Sequence, residues 1–187
     1  VLTHDNTMGF VDHSGNEVIA PVFEEVFDFR EGRARFRTGL KFGYLDKFGT
    51  VRVQPLFEGG GNFNEGFAVV QSGGKYGIID STGSFLLEPA FHRIYDCKSG
   101  YFRYKNGDYF GFINTEGKIT LEAIFEEAHD FNEGLAVASN ALGFGLINPS
   151  GKWVVEPIWD QLLYLGEGRW AIEKFGKFGM IDATGKV

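Results

Sequence analysis

Side chains suited to metal or acid–base chemistry recur along this chain at one fixed spacing. Each of them lies three residues before a glycine, where an Asx side chain ordinarily accepts hydrogen bonds from the backbone amides of a turn. We therefore expect this column to stabilise turns, with ion binding as the alternative. A glutamate column that directly precedes a second set of glycines is interpreted in the same way. The first column is Asp12, Asp46, Asp80, Asn114, Asn148 and Asp182, and the second is Glu31, Glu65, Glu133 and Glu167.

The remaining reactive side chains form no recognisable catalytic or metal-binding motif. The four histidines, His4, His13, His92 and His129, occupy different places relative to the spacing, and there is no His-Glu-x-x-His motif or paired cysteine. Cys97 falls in a column that holds Phe29, Phe63 and Phe131, so we expect it to be a buried apolar residue. The sequence thus predicts no catalytic residue, no cofactor and no bound metal, and an enzyme is not expected.

A cluster of basic residues is the one local feature suited to binding. Alternation along a strand places Arg33, Arg35 and Arg37 on one face. This pattern predicts either a solvated strand that discourages edge-to-edge pairing or a patch for an anion or an acidic partner. The candidate binding patch consists of Arg30, Arg33, Arg35, Arg37, Arg103 and Lys105, the last two of which repeat the pattern two periods further on.

A 34-residue repeat positions these side chains. Its anchor is a glycine followed by two apolar residues and an Asp or Asn, at Gly9, Gly43, Gly77, Gly111, Gly145 and Gly179. A second glycine follows six residues after each anchor, and a proline recurs in four of the repeats. The spacing predicts a single repeat domain with complete repeats at about 9–42, 43–76, 77–110, 111–144 and 145–178 and partial units at 1–8 and 179–187.

Each repeat is predicted to form a three-stranded antiparallel meander followed by a crossover. The first strand surrounds the anchor glycine, the second follows the Asx–Gly turn and ends at the proline, and the third follows an Asn/Arg-Glu-Gly turn. In the crossover the apolar residues fall three apart, which indicates one turn of 3₁₀ helix or a bent short strand. We expect the column that begins with Phe23 and Phe57 to form the seam between units. The run Gly59-Gly60-Gly61 marks either a close backbone approach or the loosest point of the array.

Composition limits the classes of partner. The formal net charge of −7 argues against general nucleic-acid binding. No apolar run approaches the ~20 residues of a membrane span, and no signal peptide is visible. A single cysteine excludes an intramolecular disulfide. It slightly favours a reducing compartment such as the cytoplasm without requiring one.

Taken together, the repeats resemble the WG (KWG) repeat family of bacterial proteins. The matching residues run from Lys75-Tyr76-Gly77 to Gly83, then Glu88-Pro89-Ala90-Phe91, then Phe131-Asn132-Glu133-Gly134. The Trp that gives the family its name is Phe, Tyr or Met in every copy. The resemblance implies an interaction module that is often appended to other domains, with no shared catalytic residue.

We therefore expect an all-β protein whose units stack as an open β-solenoid-like array, with a β-propeller-like ring as the alternative. The expected function is a non-catalytic module for protein binding or scaffolding, as part of a larger bacterial protein. The alternative is a module that binds a carbohydrate or another cell-envelope ligand. In that case exposed aromatic residues would line a groove rather than fill the core, and the candidates are Tyr101, Tyr109, Trp153 and Trp170.

Overall fold

The computed structural model describes residues 1–187, apart from the side chains of Leu2 and His4. Every regular element among these residues is a β-strand, which confirms the all-β prediction. The strands form small antiparallel sheets in two compact units, Val1–His92 and Arg93–Val187. None of the described residues forms a helix that is long and apolar enough to cross a membrane.

The first unit contains three sheets. The first sheet runs in the order β1 (Leu2–His4), β2 (Thr7–Val11) and β3 (Glu17–Phe23). The second runs in the order β4 (Glu25–Arg30), β5 (Arg33–Thr38), β6 (Lys41–Asp46) and β7 (Val51–Phe57). The third runs in chain order through β8 (Gly59–Gly60), β9 (Phe67–Ser72), β10 (Lys75–Asp80) and β11 (Phe85–Phe91).

The second unit also contains three sheets. Its first sheet runs in the order β12 (Arg93–Ile94), β13 (Tyr101–Asn106), β14 (Tyr109–Asn114) and β15 (Ile119–Phe125). The next contains β16 (Ala136–Asn140), β17 (Gly143–Ile147) and β18 (Trp153–Trp159). The last contains β19 (Gln161–Gly166), β20 (Arg169–Lys174) and β21 (Lys177–Asp182). We call β3, β7, β11, β15 and β18, which follow the Asx turns and lie at sheet edges, the closing strands.

The crossover is itself a strand except at residues 126–131, where Ala128 makes only an isolated bridge to Ala138, so the prediction of three-stranded units is wrong for the four-stranded sheets. In the crossover strand β4, Val26 pairs with Phe36, and in β12, Ile94 pairs with Tyr104. A four-stranded sheet therefore takes its first two strands from one repeat and its last two from the next. Of the two alternatives for the crossover, the bent short strand is confirmed and the 3₁₀ turn is wrong. The register of β4 shifts between Val26 and Phe29, which explains why apolar residues three apart can both pack on the core.

The closing strands continue past proline, contrary to the prediction that proline ends them. The strand β7 contains Pro55 and extends to Phe57, which pairs with Phe42 of β6. Two features allow a proline within this strand. The closing strand lies at the edge of its sheet, where a missing amide donor costs little, and its register against β6 is shifted near the proline.

The anchor glycine allows the closing strand to approach its neighbour closely. A Cβ atom on Gly43 would lie 2.5 Å from the carbonyl oxygen of Val53, and one on Gly77 would lie 2.6 Å from that of Leu87. No real Cβ atom tolerates such a distance. Gly179 in β21 has no closing strand beside it, and a Cβ there would meet Ile172 at an ordinary 3.4 Å.

Consecutive sheets within a unit pack through the predicted seam. Phe57 lies in a buried cluster with Tyr44 and Val53 of its own sheet and with Phe63, Ala68, Val70 and Ile79 of the next segment and sheet. In the second unit, Phe125 occupies the same place against Phe131 and Ala138. Burial of such a side chain is worth roughly 1.5–3 kcal/mol relative to exposure. The seam thus stabilises the packing of consecutive sheets within each unit.

Candidate functional site

The Asp and Asn column stabilises turns, as predicted. The Oδ1 atom of Asp80 accepts hydrogen bonds from the Thr82 amide at 2.8 Å and the Ser84 amide at 3.1 Å. A hydrogen bond from the Thr82 hydroxyl, followed by these backbone bonds, holds the pKa of the Asp80 carboxyl below its ordinary value. Among the side chains that the structure describes, no three His, Cys, Asp or Glu are grouped so that they could hold a metal ion. Cys97 is 1% exposed, so its predicted buried role is confirmed.

The glutamate column has a second role that sequence reasoning missed. Glu31 occupies the first position of a tight turn with φ of +48°, a backbone conformation that residues other than glycine rarely adopt. Its carboxylate accepts hydrogen bonds from the amides of Glu65 and Gly66, both at 2.8 Å, in the equivalent turn of the next repeat. The 34-residue recurrence of Glu-Gly was the only available signal.

Arg35 fastens consecutive sheets of the first unit together. Its guanidinium donates to the carbonyl oxygen of Gly60 and lies 3.9 Å from the centroid of the Phe27 ring and 5.2 Å from that of Phe42. Two periods on, Arg103 repeats this arrangement. It donates to the carbonyl of Ala128 and lies 4.2 Å from the Tyr95 ring and 5.5 Å from the Phe110 ring.

The run of three glycines is a close backbone approach, the first of the two alternatives. A Cβ on Gly60 would lie 2.5 Å from the hydroxyl oxygen of Tyr44. That hydroxyl donates to the carbonyl oxygen of Gly61 at 2.7 Å. Buried Tyr44 therefore finds its hydrogen-bond partner only because no side chain separates it from this backbone.

The other members of the candidate patch have different surroundings. Arg33, Arg35 and Arg37 alternate with buried Ala34 and Phe36, which confirms that they share one strand face. Arg37 donates from Nε to Glu25 at 2.7 Å, and this hydrogen bond raises its pKa above the ordinary value. Arg30 is exposed, and Lys105 Nζ lies 5.2 Å from the Phe110 ring centroid. The structure thus divides the patch into sheet-fastening, ion-paired and solvent-facing members, and its role in binding stays a prediction.

A cleft of about 570 Å³ in the first unit contains Arg33, and we call it the Arg33 cleft. It lies between β5, β6 and β7 on one side and the turn after β10 on the other. Arg33 crosses this gap, since its Nη2 donates to the Ser81 carbonyl at 3.1 Å. Asp46, Lys47, Phe48 and Arg52 also line the cleft.

Three cations and one carboxylate meet in the Arg33 cleft. The carboxylate, Asp46, is 5% exposed, and Arg52 donates to it at 2.8 Å. Burial raises the pKa of Asp46, but the bonds from Arg52 and from the amides of Phe48 and Thr50 outweigh it, so the net shift is downward. Asp46 is therefore charged and already paired.

The second unit has a smaller cleft of about 300 Å³ around Arg103. Arg103 Nε lies 3.4 Å from Asp130 Oδ1. The same cleft contains Lys98 and His129. Burial, and then the charge of Arg103, lower the pKa of His129 against the opposing effect of Glu127 and Asp130. At neutral pH the imidazole is therefore uncharged.

A row of exposed apolar side chains follows the closing strands. Its members directly follow the proline column, or Ala123 where proline is absent, and their exposed fractions are 68% for Val22, 66% for Leu56, 66% for Ile124 and 52% for Ile158. We call these four residues the apolar row. Sequence reasoning missed it because the exposure of these residues depends on which face of the closing strand is covered.

The aromatic residues proposed for a carbohydrate groove mostly pack on the core. Trp170 is 1% exposed. The Tyr101 ring packs against Phe131 in a tilted arrangement, with centroids 4.7 Å apart. Trp153 packs against Phe125 at 6.1 Å. Among the four, Tyr109 alone is exposed by nearly half, at 47%.

The fold is similar to that of solved β-propeller-like structures. Two structures of Hsv2 from Kluyveromyces lactis match with a TM-score of 0.50, at 15% and 16% identity over 83% and 84% of this chain. The match covers 58% and 59% of those chains, so this chain spans less than two thirds of their length. BamB from Moraxella catarrhalis matches with a TM-score of 0.44 at 13% identity, over 98% of this chain and 63% of that one. No curated protein matches this chain.

A family model agrees with the repeat seen in the sequence and in the sheets. The model described as "WG containing repeat" matches residues 8–41, 42–76, 76–109, 110–140 and 144–177. These matches fall on the strands, the anchor glycines and the Asx turns described above, and together they include most of the chain. The chain therefore belongs to the WG containing repeat family.

Proposed function

We propose that this chain is a non-catalytic binding module that holds a protein partner on the outward faces of its closing strands. The apolar row carries this proposal. Val22 and Leu56 occupy the same place in the first unit, and Ile124 and Ile158 occupy it in the second. A single exposed apolar residue needs no explanation. Its recurrence at one outward-facing position gains nothing for folding and supports a contact surface.

The charges beside the apolar row indicate the chemistry of the partner. Glu88, Glu122 and Glu156 are exposed two residues before the row position of their strands and therefore lie on the same face. Where the row position is Ala90, the apolar contact is smaller. A partner that fits this face has an apolar centre and a basic rim, because complementary rim charges speed association and exclude wrong partners.

Affinity capture from a lysate of the source organism tests the proposal. The bait is the intact chain, compared with a variant that carries Leu56→Ser and Ile124→Ser. We expect the unaltered chain to retain a specific protein and the variant to lose it, because each buried aliphatic contact is worth roughly 1.5–3 kcal/mol.

A matched control uses two apolar residues that lie outside the row. Leu40 and Leu142 are 84% and 75% exposed, so Leu40→Ser combined with Leu142→Ser removes comparable exposed apolar surface. Retention of the partner by the control and its loss from the row variant support the proposal. Equal loss from both variants, or no specific protein on any bait, contradicts it.

The stacking of the sheets as an open array remains part of this proposal, with a closed ring as the alternative. Several stacked faces would present the apolar row as one extended contact line. The radius of gyration measured by small-angle X-ray scattering distinguishes an elongated array from a compact ring. A value near that of a compact chain of this length contradicts the open array.

A further inference from the structure

We infer that the Arg33 cleft binds a carboxylate from an acidic segment of the protein partner, with an apolar side chain of that segment seated on Phe48. The inference rests on the proposed function, because it assigns to the same partner a second and chemically different contact.

The cleft has cations in excess of what its own carboxylate can pair. Arg52 pairs with Asp46, with Nη2 at 2.8 Å from Oδ2. Arg33 and Lys47 form no ion pair with any side chain that the structure describes. This local positive charge lies in a chain whose formal net charge is −7. A guanidinium and an ammonium converging on one cleft are suited to a carboxylate oxygen pair.

The turn at the rim of the cleft differs from the other turns of the repeat. In the position of Phe48, the other copies have Ser14, Thr82, Glu116, Ser150 and Thr184. Phe48 is 74% exposed, and Lys47 Nζ lies 5.0 Å from its ring centroid. A Ser or Thr serves the turn equally well, so the exposed ring has no role in folding. It provides an apolar and aromatic surface beside Lys47, which has no ion pair with a described side chain.

The cleft is continuous with the proposed contact face. Arg52 and Leu56 both lie on the outward face of β7, four residues apart. This separation corresponds to about 13 Å along a strand. An extended segment of four or five residues can therefore reach from the apolar row into the cleft.

Fluorescence anisotropy with a labelled peptide tests this inference directly. The probe alternates Glu and Phe over six residues with both ends blocked, and the comparison probe has Gln in place of every Glu. We expect the intact chain to bind the Glu peptide at least about tenfold more tightly than the Gln peptide, a ratio that corresponds to ~1.4 kcal/mol. The difference should shrink as salt rises to ~1 M, where charges are screened over a few ångströms.

The decisive variant is Lys47→Ser combined with Phe48→Thr. It converts this turn to the sequence Asp-Ser-Thr-Gly, which the chain already folds at residues 80–83. We expect it to weaken binding of the Glu peptide at least about tenfold, because both the free ammonium and the ring are lost. Lys152→Ser, at an exposed lysine of the second unit, is the control and should leave binding unchanged.

Several outcomes overturn the inference. These are equal binding of the Glu and Gln peptides, no measurable binding, and unchanged binding in the turn variant. Displacement of the peptide by millimolar inorganic phosphate at constant ionic strength would assign the cleft to phosphate instead. If capture depends on the apolar row but no acidic peptide binds, only the cleft assignment fails. If the peptide binds but no partner depends on the row, the proposed function fails.

Discussion

The guanidinium of Arg35 donates a hydrogen bond to the backbone carbonyl of Gly60, which lies in the neighbouring sheet of the same unit. In the second unit Arg103 likewise donates to the backbone carbonyl of Ala128, and its guanidinium again lies near two aromatic rings, those of Tyr95 and Phe110. Because this bond recurs in both units together with two aromatic rings, we interpret it as a structural contact that stabilises packing rather than an incidental one. Two of the residues that were expected to bind a partner therefore stabilise the fold.

Arg35→Met should lower the free energy of unfolding by about 2–4 kcal/mol. A hydrogen bond from a charged group contributes roughly 1.5–3 kcal/mol, and the contact with Phe27 and Phe42 adds about 0.5–1 kcal/mol. Urea denaturation followed by circular dichroism measures the change. The control is Arg37→Met, whose ion pair with Glu25 is partly exposed and should cost less than about 1 kcal/mol. An equal loss of unfolding free energy in both variants would show that Arg35 does not stabilise the packing of the two sheets.

Gly77→Ala should destabilise the chain strongly, whereas Gly179→Ala should be nearly neutral. The methyl group on residue 77 would meet the Leu87 carbonyl oxygen at 2.6 Å, so the closing strand must move away. Overpacking of this kind costs roughly 1–3 kcal/mol or more. The methyl group on residue 179 meets only Ile172 at 3.4 Å. Thermal unfolding of the two variants measures the difference, and a similar shift in both would contradict the close-approach explanation.

Glu31→Ala should speed hydrogen exchange at the amides of Glu65 and Gly66. These amides donate to the Glu31 carboxylate, and the substitution exposes them to water. Both Glu and Ala carry a Cβ in the same left-handed conformation, so backbone strain is unchanged and only the carboxylate is lost. Exchange measured residue by residue by NMR checks this, with Asp28→Ala as an exposed control. Unchanged rates at residues 65 and 66 would contradict the proposed link between turns.

The repeat, the all-β content and the turns were predictable because each depends on local chemistry. The Asx–Gly turns require only that Asp80 and Gly83 stand at fixed offsets, and the sequence shows this directly. The buried role of Cys97 followed from its column in the same way. The seam was predictable because a large side chain such as Phe57 must be buried somewhere in every copy.

The contacts between repeats could not be predicted in the same way. The bond from Arg35 to Gly60 joins residues in adjacent repeats, and its acceptor is a carbonyl group that every residue has. The pairing of Val26 with Phe36 makes the crossover a strand, but the shift in register hides the alternation that would have indicated one. Exposure of Leu56 depends on which face of the closing strand is covered, and the sequence does not specify this.

The stability of the second unit should fall with acidity in a way that depends on His129. Burial and the charge of Arg103 hold the pKa of this imidazole below its ordinary value of 6.5, although Glu127 and Asp130 oppose the shift. As the pH falls below about 6.5, the unfolded chain binds a proton that the folded chain does not yet accept. The stability that the chain gains from keeping His129 uncharged is therefore fully present above pH 6.5. It is lost as the pH falls through the pKa of His129 in the folded chain. The free energy of unfolding of the unaltered chain should decrease relative to that of His129→Gln over this window.

Urea denaturation of both proteins at several pH values between about 7.5 and 4.5 measures this difference, spanning the ordinary histidine pKa. All other titrating groups are common to the two proteins, so their contributions cancel unless they touch residue 129. If the difference for His129→Gln is constant across the range, the folded chain protonates His129 as readily as the unfolded chain. The cleft around Arg103 would then be open to solvent rather than desolvated.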